Sequence, residues 1–321
     1  MIKDLSALAK VIYVARFSAD EAIHTISRKA QMSSKRTQEV LDDALAQGLI
    51  KPFCIINQYI LGFKQYTFHL EVAPPFVQPL REFLSSTKVG AIIKHISWAA
   101  VVDHNYNFII SLLVRDYFEV LELFNKLSQV IRIRKKLLVA NITFELYAPR
   151  FIAPIANKAT CLSIGIQKKL ITADEIDSTI LRTLSIHPEV SNQDLAAQCK
   201  CSPSKISRRI SKLREQGVLV ASSYLINSYA LGLRPYKILV SLSTLDRGQI
   251  SSVRSWIAQD RSIAYVIRTI GAWDFEIGIE VPTHAQALQT SDDFRSYLGD
   301  HCAEIQLIQI QEDLISRPYP F

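Results

Sequence analysis

One stretch of this sequence occurs twice. Residues 56–66 read INQYILGFKQY and residues 226–236 read INSYALGLRPY, with Ile, Asn, Tyr, Leu, Gly and Tyr in the same order at a shift of 170. A chain that repeats itself at such a spacing is constrained to two structural units of one layout. Helix and strand signals follow the same order around both copies. The sequence therefore predicts a tandem duplication, with one half over about residues 1–150 and the other over about 171–321. A length of 321 residues leads us to expect two to four domains, and the apolar content is enough to give each its own core.

Residues 202–217, SPSKISRRISKLREQG, carry the sharpest local signals. Ser202 is a good helix N-cap, since its hydroxyl can accept from an otherwise orphan N–H. Pro203 suits the first helical position, and Gly217 stands where a left-handed C-cap belongs. Ile206, Ile210 and Leu213 form one apolar stripe. Lys205, Arg208, Arg209 and Lys212 occupy the remaining surface, with no acid before Glu215. A short amphipathic helix with a cationic outer face is what entry into a DNA major groove requires: a buried anchor, donors for phosphates and base edges, and no carboxylate to repel the backbone. Alone, such a helix is equally a solvated basic face, so its neighbours must decide.

They point to a helix-turn-helix. Residues 172–175 have capping-box spacing, with Thr172 as cap and Glu175 reaching back, and open a helix that turns Ile176, Ile180, Leu181 and Leu184 inward. His187-Pro188 ends it. Ser191 starts a shorter helix around Leu195 and Ala196, and a tight turn at residues 199–201 leads into the basic helix. Residues 218–226 read as wing strands. The expected domain covers residues 171–228, with Ser202, Ser204, Lys205, Arg208, Arg209 and Lys212 as its DNA-contacting residues.

The first half repeats this plan over residues 1–60, with a helix that buries Leu5, Leu8, Val11 and Ile12 and a capping box at residues 18–21. Its third helix is capped by Ser33 or Ser34 and ends at Gly48. It carries Lys35 and Arg36 against Glu39, Asp42 and Asp43, a net −1, where the second half has five basic residues and one acid. This helix-turn-helix reads as degenerate, binding DNA weakly or serving another contact.

Each half then continues with signals in the order βαββαβ, over residues 64–148 and 234–316. The expected fold is α+β: two winged helix-turn-helix domains alternating with two ferredoxin-like βαββαβ domains. Residues 149–170, with Pro149 and Pro154 and no period, read as a linker, and the tail after Ser316 reads as loose.

The remaining composition narrows the function. Net charge is +7, compatible with a polyanionic partner. The five cysteines show neither disulfide nor zinc spacing, and the seven histidines lack metal partners at helical spacing. The N-terminus lacks the apolar segment of a secretion signal, and no apolar run reaches membrane-spanning length. The cluster Arg132-Ile133-Arg134-Lys135-Lys136 reads as a solvated turn, and Trp98, Trp256 and Trp273 as core or interface residues. No nucleophile–base constellation, phosphate loop or nucleophile elbow is present. These readings predict a cytoplasmic protein without catalytic residues, metal or cofactor, hence no enzyme.

A winged helix-turn-helix joined through an Asn-x-x-x-Leu-Gly segment to a βαββαβ domain resembles the Lrp/AsnC (feast/famine) transcriptional regulators. The residues that carry the resemblance are Glu175-Ile176-Asp177 with Ile180-Leu181, Ser202-Pro203-Ser204, Arg209, Leu213, Gly217-Val218, Asn227, Leu231-Gly232 and residues 271–275. The second half matches along its length and the first more loosely. The tandem form departs from the family's single unit. The resemblance implies a regulator of double-stranded DNA whose βαββαβ domains pair through their sheets and hold a small effector such as an amino acid. It places effector-binding at Gly271 and Asp274, where the first half has His104 and Asn107. The pairing implied is either within one chain or between chains, and one good reading head per chain favours a homodimer or higher homo-oligomer. Sirohaem decarboxylases are similar to this family in layout without binding DNA. Under that alternative His and Arg side chains would hold tetrapyrrole carboxylates, and the basic helix would be a relic. A further alternative makes the first half a protein-interaction module, as its acidic third helix suggests.

Overall fold

The computed structural model describes residues 4–85, 93–153, 158–166, 170–317 and 319. The readings at residues 1–3, at Pro154 and at the last residues of the tail lie outside them, as do residues 86–92 of the first expected βαββαβ stretch.

Each half opens with three helices and a strand. The first has α1 (Leu5–Ala15), α2 (Ile23–Ala30), α3 (Ser34–Ala46) and β1 (Ile50–Ile56). It continues with β2 (Lys64–Val72), α4 (Pro74–Ser85), β3 (Ile96–Asp103), β4 (Phe108–Val114), α5 (Tyr117–Val130) and β5 (Ile133–Tyr147). A further strand, β6 (Cys161–Gly165), pairs with β5. The second half has α6 (Glu175–Ile186), α7 (Asn192–Gln198), α8 (Pro203–Glu215), β7 (Leu219–Ile226), β8 (Arg234–Leu242), α9 (Arg247–Gln259), β9 (Ile263–Ile270), β10 (Phe275–Val281), α10 (His284–Leu298) and β11 (Cys302–Ser316). The chain thus alternates winged helix-turn-helix and ferredoxin-like units, as its periodicities predict.

The two ferredoxin-like sheets join into one ring. Within the halves the strand orders are β5-β2-β4-β3 and β11-β8-β10-β9, and β3 then pairs with β11 while β9 pairs with β5. Both junctions are antiparallel, with Trp98 opposite Ser316 at one and Leu146 opposite Tyr265 at the other. Of the two pairings the resemblance allows, this ring is the one within a single chain.

Strand alternation separates the two faces of the ring. Tyr66, Phe68, Leu70 and Val72 of β2 pack outward with Leu80, Val120 and Leu123 of the helices α4 and α5. Tyr236, Ile238, Val240 and Leu242 of β8 do the same beneath α9 and α10. The intervening residues face the ring's interior, where Ala100, Ile109, Val139, Leu239, Trp273 and Ile308 form a separate apolar cluster.

Charged groups share that interior. Lys237 Nζ lies 2.8 Å from Glu276 Oε2, and both side chains are essentially fully buried. Trp273 Nε1 donates to Glu276 Oε1 at 3.2 Å. From the opposite half, His69 Nε2 stands 3.7 Å from the same oxygen. Burial opposes the charge on Glu276, yet Lys237 and His69 hold its carboxyl below the usual carboxylate range. Burial pushes the His69 imidazole down, towards neutrality. Lys237 also lies over the rings of Trp98, at 4.5 Å, and Tyr265. Gly278 is required beside it, because a Cβ there would fall within 2.1 Å of the Tyr265 ring.

The structure corrects several local expectations. Asp174, not Thr172, caps α6, and Ala22, without a side-chain bond, precedes α2. Glu21 pairs with Lys29 instead of closing a capping box. The tail is anchored: Arg317 N donates to Ser97 O, and the Tyr319 ring is buried against Phe63 in the core of the second helix-turn-helix. An aromatic side chain gained enough burial to hold a segment whose prolines allow no regular structure. The stretch read as a linker contains β6, and the basic cluster at 132–136 opens β5, where Arg134 and Lys135 pair with Glu71.

Removing one partner of a buried ion pair leaves the other charge unsatisfied. Glu276→Gln is therefore expected to lower stability by about 3–5 kcal/mol near neutral pH. A carboxyl depressed in the folded state contributes stability fully above its ordinary value of 4.5, and loses it as the pH falls below that. The gap between wild type and Glu276→Gln should accordingly narrow on acidification, measured by urea denaturation at a series of pH values.

Candidate nucleic-acid interface

The second helix-turn-helix is built by its caps. Ser191 Oγ accepts from Asp194 N at 3.1 Å and starts α7. Lys200, at φ 50°, turns the chain out of α7. Ser202 Oγ then accepts from Lys205 N at 3.3 Å and contacts Ser204 Oγ at 3.1 Å, fixing the start of α8. Ile206 and Leu213 are buried, anchoring α8 on α6 and α7. Gly217, at φ 71°, ends the helix.

The wing differs from the expected strand pair. Residues 218–226 give one strand, β7, and its partner is β1 of the other half, with Ile50 opposite Ile226 and Cys54 opposite Ser222. The repeated asparagines serve this exchange: Asn57 N donates to Val218 O and Asn227 N to Leu49 O. Cys54 and Ile56 pack with the helices of the second half, while Tyr224 and Ile226 pack with those of the first. The two helix-turn-helix units are thereby fastened to each other.

The six residues expected at DNA divide into two groups. Ser202, Ser204, Arg208 and Lys212 are exposed and Lys205 is half-buried. Lys205, Arg208 and Lys212, at i, i+3 and i+7, share one face. Arg209 turns the other way, onto α6: its Nη1 lies 2.5 Å from Asp174 Oδ2 and 3.0 Å from Asp177 Oδ1. The Asp177 N–H and the Arg209 guanidinium hold the Asp174 carboxyl below its ordinary range. The resemblance placed Arg209 in a motif, and its local part here is to tie α8 to α6. Arg214, which the sequence reading leaves unassigned, reaches Asp20 of the first half at 2.7 Å. Asp20 is 194 residues away, so no spacing rule could have found that pair.

The matching helix of the first half presents the opposite chemistry. Its cap, Ser33, accepts from Arg36 N as Ser202 does from Lys205 N. Counted from these caps, Glu39 and Asp43 stand where Arg208 and Lys212 stand in α8. Arg36, at the place of Lys205, is engaged by Asp4 at 3.2 Å and Glu39 at 3.6 Å.

Gly271 and Asp274 lie in the turn between β9 and β10. Asp274 Oδ2 accepts from Leu242 N at 2.8 Å, and Asn107 of the first half accepts in the same way from Val72 N. Gly271, at φ 143°, runs close to β5, where a Cβ would come within 3.2 Å of Leu138 O. Among the described residues, no group of three or more His, Cys, Asp and Glu side chains could hold a metal ion, and no helix is long and apolar enough to cross a membrane.

With this geometry in view, a family model for winged helix-turn-helix DNA-binding domains matches residues 174–220, which take in α6, α7 and α8. No curated protein matches the sequence. Among solved structures, the siroheme decarboxylase NirDL shares the fold over 98% of this chain and 96% of its own, with a TM-score of 0.65 at 10% identity. NirDL in complex with an iron-uroporphyrin III analogue matches over 99% and 96%, at 0.63 and 10%. AsnC of E. coli matches over 46% of this chain and 97% of its own, at 0.40 and 19%. The expectation that the chain is no enzyme is thereby corrected. The fold that it follows from end to end is that of a decarboxylase, so the layout does not argue against catalysis.

Because Arg209 serves the packing of α8 on α6, Arg209→Ala should lower the stability of the helix-turn-helix by about 1 kcal/mol, the scale of a partly exposed charge-assisted contact. Arg208→Ala and Lys212→Ala should leave the thermal unfolding midpoint unchanged. Circular-dichroism melts of the three variants check this.

Proposed function

We propose that the chain is a sequence-specific regulator that binds double-stranded DNA through α8. One observation carries this reading. In a unit matched by a DNA-binding family model, Lys205, Arg208 and Lys212 form a single face that meets a carboxylate, Glu215, only at the last residue of α8, while the acids that hold Arg209 are kept on the α6 side. Ser202 and Ser204 at the helix N-terminus add hydroxyl donors for phosphate. The acidic α3 cannot approach a phosphate backbone in the same way, so each chain offers one reading head, and a palindromic site would be read by two chains.

A salt titration of binding to the DNA upstream of the gene tests this. Each phosphate contact contributes about 0.9 to the slope of log K against log salt, so replacing Lys205, Arg208 and Lys212 by Ala should flatten that slope by about 2–3 units. An unchanged slope sinks the proposal.

The end-to-end likeness to NirDL favours a second reading, a tetrapyrrole enzyme. Under it, titrating the full chain with iron-uroporphyrin III shifts the Soret band saturably, and the triple variant shifts it equally. A spectrum that stays the sum of its parts removes that reading.

A further inference from the structure

A cavity of about 370 Å³ lies where the two halves and the C-terminal segment meet. Its walls come from β1 and β7, from α6, and from the end of β11 and the residues that follow it. The floor is apolar, with Phe53 and Leu225 on the paired wing strands, and the exposed Ile186 at the end of α6 adds an apolar edge. Around it stand Lys51, Arg182 and Arg317, and among the described residues no carboxylate lines the space.

That charge is uncompensated. Some cations elsewhere are paired, such as Lys29 with Glu21, Arg81 with Glu312, Arg134 and Lys135 with Glu71, and Arg254 with Glu145. Among the described residues, Lys51, Arg182 and Arg317 have no ion-pair partner, although they come from three separate elements. Three like charges gathered at one concavity repel each other, and an anion placed among them removes that cost. Two of them are arginines, whose planar forks match carboxylate oxygens two at a time. The apolar floor adds a requirement for a hydrophobic body. The described lining gives an ammonium group no carboxylate to pair with, which disfavours a zwitterionic amino acid.

We propose that this cavity is a binding site for a small organic acid with two carboxylates on an apolar frame. The site is distinct from the β9–β10 turn that carries Gly271 and Asp274, and from the exposed face of α8. It is also independent of the DNA-binding reading, because occupancy is measured without DNA.

Isothermal titration calorimetry of the full chain with isophthalate, an aromatic dicarboxylate, tests it. Saturable binding is expected, and the double variant Arg182→Gln, Arg317→Gln should weaken it about tenfold or more, as loss of charged hydrogen bonds worth over 1.4 kcal/mol requires. The exposed Lys51→Gln serves as a second variant should the double one unfold early, and a weakening of about threefold is expected of it, from one exposed charge pair. Phenylalanine should bind far more weakly than isophthalate. Three results would each overturn the proposal: no saturable heat with isophthalate, variants that bind it as wild type does, or phenylalanine or inorganic phosphate binding as tightly.

Discussion

Closure of the sheet is the constraint on which the rest depends. A ferredoxin-like sheet alone ends in two open edges, each a row of unsatisfied N–H and C=O groups. Here β3 and β5 of the first half meet β11 and β9 of the second, so each half supplies the partners that the other lacks. The helix-turn-helix units follow the same logic at smaller scale, since among the described residues β1 and β7 are each other's only ladder partners. Backbone hydrogen bonding, more than any side-chain contact, makes the two halves one body.

The interior of the ring shows what a joined pair of unlike halves can hold. Lys237 and Glu276 lie on neighbouring strands of the second half, and the matching positions of the first, Thr67 and Ile109, carry no charge. Thr67 instead meets Ser111 and Asn141 in a neutral hydrogen-bonded group. His69 reaches Glu276 from across the ring, so the charged group lies at the boundary between the halves. Charges sealed in this way tolerate little change in their surroundings, because every displaced partner leaves a desolvated ion.

Much of this was legible in the sequence. The repeat, the caps at Ser33, Ser191 and Ser202, and the period-two strands set out the element order, because those signals are local. What escaped was set by contacts distant in the chain. Thr172 and Asp174 are both competent caps, and Arg209 favoured the arrangement in which Asp174 faces it. The tail looked loose because two prolines forbid regular structure, yet a pocket beside Phe63 holds Tyr319. The basic face of α8 was readable as a set of residues. The engagement of Arg209 was not, since its partners Asp174 and Asp177 lie more than 30 residues away in the chain. The solved fold that follows the whole chain was foreseen only as an alternative, because fold and chemistry are separable.

The contrast between α3 and α8 gives the molecule a direction. Two identical subunits about a two-fold axis look the same from either end, and nothing tells such a pair which way round it lies. Here one end of the paired helix-turn-helix body is cationic, and the other sets Glu39 and Asp43 at the matching places. Against any linear polyanion the chain is therefore polar: turned end for end, it presents repulsion where it had presented attraction. Orientation, which a symmetric homodimer must borrow from its site, is here a property of the single chain.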